Sequence, residues 1–306
     1  MIDPRESPAT MTWNSLRPSI PTTINLDDDL EARLILTHAG LSGNPAIGNL
    51  IHRVGGAAGV LELAKAGAAD TAVGLPDGTL RRVAHAARQG TAQRIADVTE
   101  QHGLMLLTPE QPGWPARINV LGPAAPLLLW IDGPEAVLAD GIAAVVGPRH
   151  PGREARHATL EIATALADQG WVVAANDAPG VASLALRAAT AMKGRNVQIV
   201  PAGIDRIRDS ERLPMTIRMS AEGPDSHGSA RATQLARATL VALAERVFVV
   251  DRGPSCESEK VSVLARALGR LVGDSGTTSM AGGAQSRRPR PTCESSVEAG
   301  KDSSRW

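Results

Sequence analysis

The 306-residue chain carries 32 basic and 32 acidic side chains, so no net field draws it to nucleic acid or membrane; any anion affinity must come from local clustering. Aromatics make up only 2% of it, which leaves an aliphatic core and few flat side chains for stacking on a ligand. Its two cysteines, Cys256 and Cys293, stand far apart with no Cys or His at metal-ligand spacing, which argues against a zinc site and a disulfide scaffold.

In chain order, residues 1–27 hold four prolines and little periodicity and read as a flexible leader. Residues 28–102 are rich in Ala and Leu at helical spacing. Leu30, Leu34 and Ile35 predict one helix, and Ile47, Leu50, Ile51 and Val54 a second after the Gly40–Pro45 turn. Val60 to Ala66 predicts a third, and Leu80 to Arg94 a longer fourth. Short helices parted by glycine turns suit a small all-helical domain of SAM or helix-hairpin-helix type, packed on the main domain or binding DNA by itself.

From Gly103 the texture changes. Leu104–Thr108 and Leu127–Ile131 predict two short strands joined by a segment pinned by Pro109, Pro112 and Pro115, adding to one sheet edge. Strands and helices then alternate. Strands are predicted at Ile142–Val146, Trp171–Ala175, Val197–Val200 and Val247–Val250. Helices are predicted at about 153–169, 181–193, 211–219, 230–246 and 259–268. This order predicts an α/β fold with a doubly wound, mostly parallel sheet over residues 103–272. Residues 273–306 are Gly-, Ser-, Thr- and Arg-rich and predict a disordered tail.

The stretch Gly141–Arg156 is the chemical focus. An apolar strand stops at Gly147 and a helix starts near Arg153, so the turn sets backbone N–H groups and a helix N-terminus at the carboxyl end of the sheet, a seat for an anion. Arg149, Arg153 and Arg156, with His150 and His157, face one acid, Glu154. Arginines in a first helical turn oppose the helix dipole, a placement that an anion would relieve. Gly147-x-x-x-x-Gly152 has Walker A spacing, but Arg153 and Glu154 replace its Lys and hydroxyl, and Pro148 and Pro151 remove two N–H donors. Gly-x-Gly-x-x-Gly is absent, as are a Gly-x-Ser-x-Gly serine and paired carboxylates. No catalytic residue, metal or cofactor is assigned. Asp177 and Asp205 read as turn or cap residues.

The series of motifs resembles the DNA-processing protein A (DprA, Smf) family. Pro109–Arg117, Leu127–Gly133 and Val145-Val-Gly-Pro-Arg149 are similar to its aromatic-proline, "P-L-L-x-x-x-G" and "V-G-S-R" elements. Pro179–Ser183, Ile199–Asp205, Ser220-Ala-Glu222, Leu235–Leu243 and Leu268-Gly-Arg270 follow in the family's order. The resemblance implies an extended Rossmann-like fold, homodimerisation, binding of single-stranded DNA and help in loading the RecA recombinase onto it, as in transformation; a cytoplasmic location is expected from the isolated cysteines and from the lack of a signal-peptide pattern or a membrane-length apolar run. No catalytic chemistry is established for that family. Residue by residue it points to Gly147 and Arg149 of the glycine-arginine turn, Gly180 of the "G-I-D" turn and Arg237 of "R-N-R".

The chain also departs from the family. Where the family has "S-G-x-A-x-G-I-D", Ala175-Asn-Asp-Ala-Pro-Gly-Val-Ala182 stands; the second arginine of "R-N-R" is Thr239. The "S-G-S-x-x-T-A" turn becomes Cys256–Ser262, and the later strand and helix give way to the polar tail. The expected DNA site is therefore Gly147, Arg149, Arg153, Arg156, Gly180 and Arg237. Contacts are expected to be phosphate-dominated, indifferent to sequence and sensitive to salt. The alternatives are a nucleotide-binding Rossmann protein, a hydrolase of nucleotide derivatives, and a degenerate interaction protein.

Overall fold

A computed structural model describes residues 24–206, 212–250 and 256–274. Residues 1–23, 207–211, 251–255 and 275–306, with most of the expected leader and tail, lie outside the described residues.

The N-terminal region is a bundle of α1 (Asp28–His38), α2 (Pro45–Val54), α3 (Ala57–Lys65), the single turn α4 (Asp70–Val73), α5 (Thr79–Arg88) and α6 (Thr91–Gln101). Asp27 caps α1, accepting from the Leu30 N–H at 2.8 Å, and Asn44 caps α2 ahead of Pro45. Helix α3 borrows its cap: Asp29 on α1 accepts from the Ala57 and Ala58 N–H groups at 2.6 and 3.2 Å. The long helix expected over Leu80–Arg94 is two helices, because Gly90 takes φ +63° and breaks the run.

The rest of the chain builds one eight-stranded sheet. Its strands are β1 (Met105–Leu107), β2 (Leu129–Asp132), β3 (Ile142–Val146), β4 (Val172–Asn176), β5 (Asn196–Val200), β6 (Thr216–Ser220), β7 (Arg246–Val249) and β8 (Leu271–Asp274). Their order is β1-β2-β6-β5-β4-β3-β7-β8. The six strands from β6 to β8 run parallel, whereas β1 and β2 join antiparallel at the β6 edge, as the proline-pinned segment predicted. The intervening helices are α7 (Arg153–Asp168), α8 (Val181–Ala191), α9 (Ala230–Leu243) and α10 (Cys256–Ala267).

Two expectations are corrected. The helix proposed near 211–219 is strand β6 from Thr216; residue 211 itself lies outside the described residues. The polar tail does not begin at residue 273: Leu271–Asp274 pair with Arg246–Val249 as β8, so some strand structure follows the Leu268-Gly-Arg270 motif after all.

Period-two alternation divides the core. Ala143, Val145 and Val173 face α7 and α8, while Ile142, Ala144, Val146, Val172 and Ala174 face α9 and α10. Helices on both faces leave the central strands no solvated side, which is why they read as unbroken apolar runs. Strand β2 serves two interiors. Leu129 and Ile131 enter the sheet core on the α9 side, and Leu128 and Trp130 enter the bundle core. The Trp130 indole N–H donates to the Thr99 hydroxyl of α6 at 3.0 Å. Further links are Arg33, bonded to the Leu127 carbonyl at 3.2 Å, and Arg231 of α9, which donates to the Ser42 carbonyl.

Candidate nucleic-acid interface

After β3 the chain goes by α7 to β4 on one side, whereas β7 lies on the other side of β3 and is reached by α9 across the opposite face. This reversal opens a crevice at the carboxyl ends of the parallel strands, the usual ligand position in open α/β sheets. A cleft of about 390 Å³ occupies it. The β3–α7 turn, the β4–α8 turn, Pro201 after β5 and the facing sides of α9 and α10 form its walls.

The glycines bring these turns together. A Cβ on Gly147 would sit 2.8 Å from the Val181 side chain and the Val250 carbonyl, so this residue serves close approach, and its φ lies outside the left-handed region. Gly180 has φ +85°, and a Cβ there would lie 2.3 Å from the Arg149 carbonyl oxygen. The Val181 N–H donates to the Pro148 carbonyl at 3.1 Å and locks the two turns. Neither α7 nor α8 carries a side-chain N-cap, so the positive ends of both helices face this region without a capping oxygen.

Arg149 is exposed at the junction of two hollows. With His150 it lines the deep cleft, where Gly147 and Arg237 also lie, and a shallower hollow between the first turns of α7 and α8. That second hollow adds Arg156, Gly180, Ser183 and Arg187, and no Asp or Glu lines it. Arg156 donates from Nε to the Pro151 carbonyl at 3.1 Å, which holds its guanidinium beside the turn. Among the described residues, Arg149, Arg156 and Arg187 form no ion pair with a carboxylate.

Five of the six expected residues thus line the two hollows; Arg153 is exposed on α7 and lines neither. His157, at the predicted helical offset, pairs instead with Glu161 at 3.2 Å. Asp205 accepts from the Asp225 N–H at 3.1 Å, and Asp177 accepts from Gln198 at 2.9 Å; both hold turns, as expected. Among the described residues the tryptophans offer no stacking platform in the hollows: Trp114 and Trp130 are buried, and Trp171 lies under the Arg246 guanidinium at the opposite end of the sheet. Sequence reasoning missed Arg187 and Asn176. Arg187 left a trace, being the sole charged residue of Val181–Ala191. Among the described residues no group of three or more His, Cys, Asp or Glu is placed to hold a metal, and no helix is long and apolar enough to cross a membrane.

Residues 105–252 match the DNA recombination-mediator protein A family. No curated protein sequence matches the chain. The structure is similar to DNA processing protein A from Streptococcus pneumoniae, with a TM-score of 0.61 at 15% identity over 82% of this chain and 87% of that one. It also matches part of DNA processing protein A from Helicobacter pylori, a structure concerned with single-stranded DNA binding, with a TM-score of 0.49 at 19% identity over 56% of this chain and 80% of that one. Residues 105–252, just under half of the chain, thus resemble the DNA recombination-mediator protein A family, and the chain as a whole shares the fold of DNA processing protein A.

Proposed function

We propose that this protein binds single-stranded DNA along the basic rim formed by Arg237, Arg149, Arg156 and Arg187, and acts by binding rather than catalysis. The observation that carries this reading is the joining of two hollows through Arg149, with no carboxylate neutralising the guanidinium groups of Arg149, Arg156 and Arg187. A string of such groups beside two uncapped helix N-termini suits a chain of phosphates better than one anion, because each phosphate finds its own cation. Gly147 and Gly180 support it by bringing both turns to van der Waals distance. Arg153 takes at most a peripheral part.

The family match over residues 105–252 supports a role in recombination: the bound strand would be handed to the RecA recombinase, with the protein acting as a homodimer in the cytoplasm. The test is a gel shift with a labelled oligonucleotide at two salt concentrations. Binding that weakens steeply with salt and falls in Arg149→Ala supports the proposal; binding unaltered in that variant refutes the assigned site.

A further inference from the structure

The two hollows leave much of the exposed positive charge unused. Helix α5 buries Leu80, Val83, Ala84 and Ala86 in the bundle and turns Arg81, Arg82, His85 and Arg88 outward, all exposed. Arg81, His85 and Arg88 follow at offsets of four and three and share one face, with Arg82 on its flank. Across the Gln89-Gly90 turn, the exposed Arg94 of α6 adds another guanidinium. Among the described residues none of these four arginines forms an ion pair. Helix α5 carries no Asp or Glu. Of the neighbouring carboxylates, Asp70 accepts from the Gly78 and Leu80 N–H groups at 2.6 and 2.7 Å, Asp97 accepts from Gln93 at 2.7 Å, and Asp77 is exposed ahead of the helix. The helix dipole accounts for His85 and Arg88 in the last turn of α5 but disfavours Arg81 in the first.

The bundle is also polarised from end to end. Asp28, Asp29 and Glu31 begin α1, and there the Ile24 N–H meets Glu100 near the end of α6. At the other end α1 finishes at His38, which burial and the Arg94 charge push below the ordinary histidine range. This basic end lies on the crevice side of the sheet: a Cβ on Gly223, after β6, would lie 3.9 Å from Ile95, and Ile204, after β5, enters the bundle core. Pro201 lines the deep cleft, and five residues on Arg206 stands exposed, steadied by the Asp225 carbonyl at 3.2 Å. Cations thus continue from the cleft through Arg206 to Arg94, Arg88 and Arg81.

We propose that a strand held in the crevice leaves it over the carboxyl ends of β5 and β6 and runs on along α5, so that the helical bundle supplies a second phosphate-binding surface. The inference rests on the DNA-binding reading above and carries it outside the crevice. All the fixed cations of this path are arginines, whose planar forks match phosphate oxygens in pairs. Neither α5 nor α6 carries Trp, Tyr or Phe, so the surface grips the backbone and ignores the bases.

The test titrates the whole chain with oligothymidylates of about six and about twenty nucleotides, by fluorescence anisotropy over a range of salt. A longer strand offers more registers, which raises affinity, but the slope of log K against log salt counts phosphate contacts alone. The long-strand slope is expected to be steeper than the short-strand slope by about 2.8, at about 0.7 for each of Arg206, Arg94, Arg88 and Arg81. Arg81→Gln combined with Arg88→Gln puts a good helix former at both exposed positions. In that variant the long-strand slope should lessen by about 1.4, so that the affinity lost between about 50 and 200 mM salt is about sevenfold smaller, while the short strand binds as before. Lys193→Gln combined with Arg266→Gln removes the same charge from exposed positions ahead of β5 and β8, at the opposite end of the sheet, and should keep both wild-type slopes. Equal slopes for the two lengths in the wild type, or an equal loss in this second pair, overturn the second surface and leave the crevice track standing. Binding of neither strand overturns both. If the DNA slopes survive in the α5 variant while a labelled oligoglutamate peptide binds the wild type and not that variant, the face belongs to an acidic protein and the proposal falls. Should the double variant fail to fold, Arg88→Gln alone takes its place, with an expected loss of about 0.7 in the long-strand slope.

Discussion

Arg149→Ala gives the sharpest reading of the basic rim. The side chain is exposed, and the turn is held by the Arg149 and Pro148 backbone packed on Gly180, so truncation should leave stability within about 0.5 kcal/mol. Among the described residues, four arginines line the two joined hollows: Arg149, Arg156, Arg187 and Arg237. If each meets one phosphate of a single strand, the slope of log K against log salt is about 0.7 per contact, or about −2.8 in all. Affinity should then fall about 50-fold between about 50 and 200 mM salt, and only about 20-fold over the same range in the variant. Arg153→Ala, outside both hollows, should keep the wild-type slope. Fluorescence anisotropy at four or five salt concentrations measures all three slopes. An Arg149→Ala slope equal to that of the wild type would show that no phosphate sits at this guanidinium. Equal losses in Arg153→Ala and Arg149→Ala would replace a defined track by a diffuse basic surface.

Gly180→Ala should cost about 2–4 kcal/mol and weaken DNA binding, since it puts a side chain at φ +85° against the Arg149 carbonyl; denaturant titration and anisotropy read the two effects. Arg33→Met, at the join of bundle and sheet, takes the Arg33 donor from the Leu127 carbonyl and from Asp29, which keeps the Ala57 and Ala58 amides, and should cost about 1–3 kcal/mol in denaturant titration. Two carboxyls should tilt the pH profile in opposite senses. Burial pushes Glu222 above the ordinary glutamate range although Arg231 and Ser226 oppose it, so the native state holds this proton more tightly; its contribution favours the fold in acid and is lost as pH rises. Burial also works against ionised Asp29, but Arg33 and the Ala57 and Ala58 amides outweigh it and lower its pKa, so its contribution exists at neutral pH and is lost on acidification. Glu222→Gln should remove the first slope, which lies on the alkaline side of the ordinary glutamate range, and Asp29→Asn the second, which lies on the acid side of the ordinary aspartate range.

The parallel strands β3, β4, β5 and β7 were legible because helices cover both their faces and the residues between glycine turns are apolar. Strand β6 was hidden because Arg218 interrupts Thr-Ile-Arg-Met-Ser. Arg218 is nevertheless only 5% exposed, since Asp132 on the paired strand β2 accepts from its Nε at 2.9 Å. No local pattern announces a partner that distant in sequence. Strand β8 is four residues at a sheet edge with Leu271 exposed, too short and too solvated for an apolar signature. The site divides in the same way. Arg149 stands in a strand-to-helix turn, a position the sequence marks directly. Arg187 and Asn176 matter through what faces them across the crevice, which depends on how the turns meet at Gly147 and Gly180.

Strand β2 lends alternate side chains to two interiors, and this makes the helical region more than an appendage. Removing residues 28–101 would uncover the 1%-exposed Trp130 and strip its indole of the Thr99 acceptor, while Leu129 and Ile131 on the reverse side still anchored the strand to the sheet. Motion between the bundle and the crevice therefore has no hinge at this seam, because one backbone belongs to both bodies.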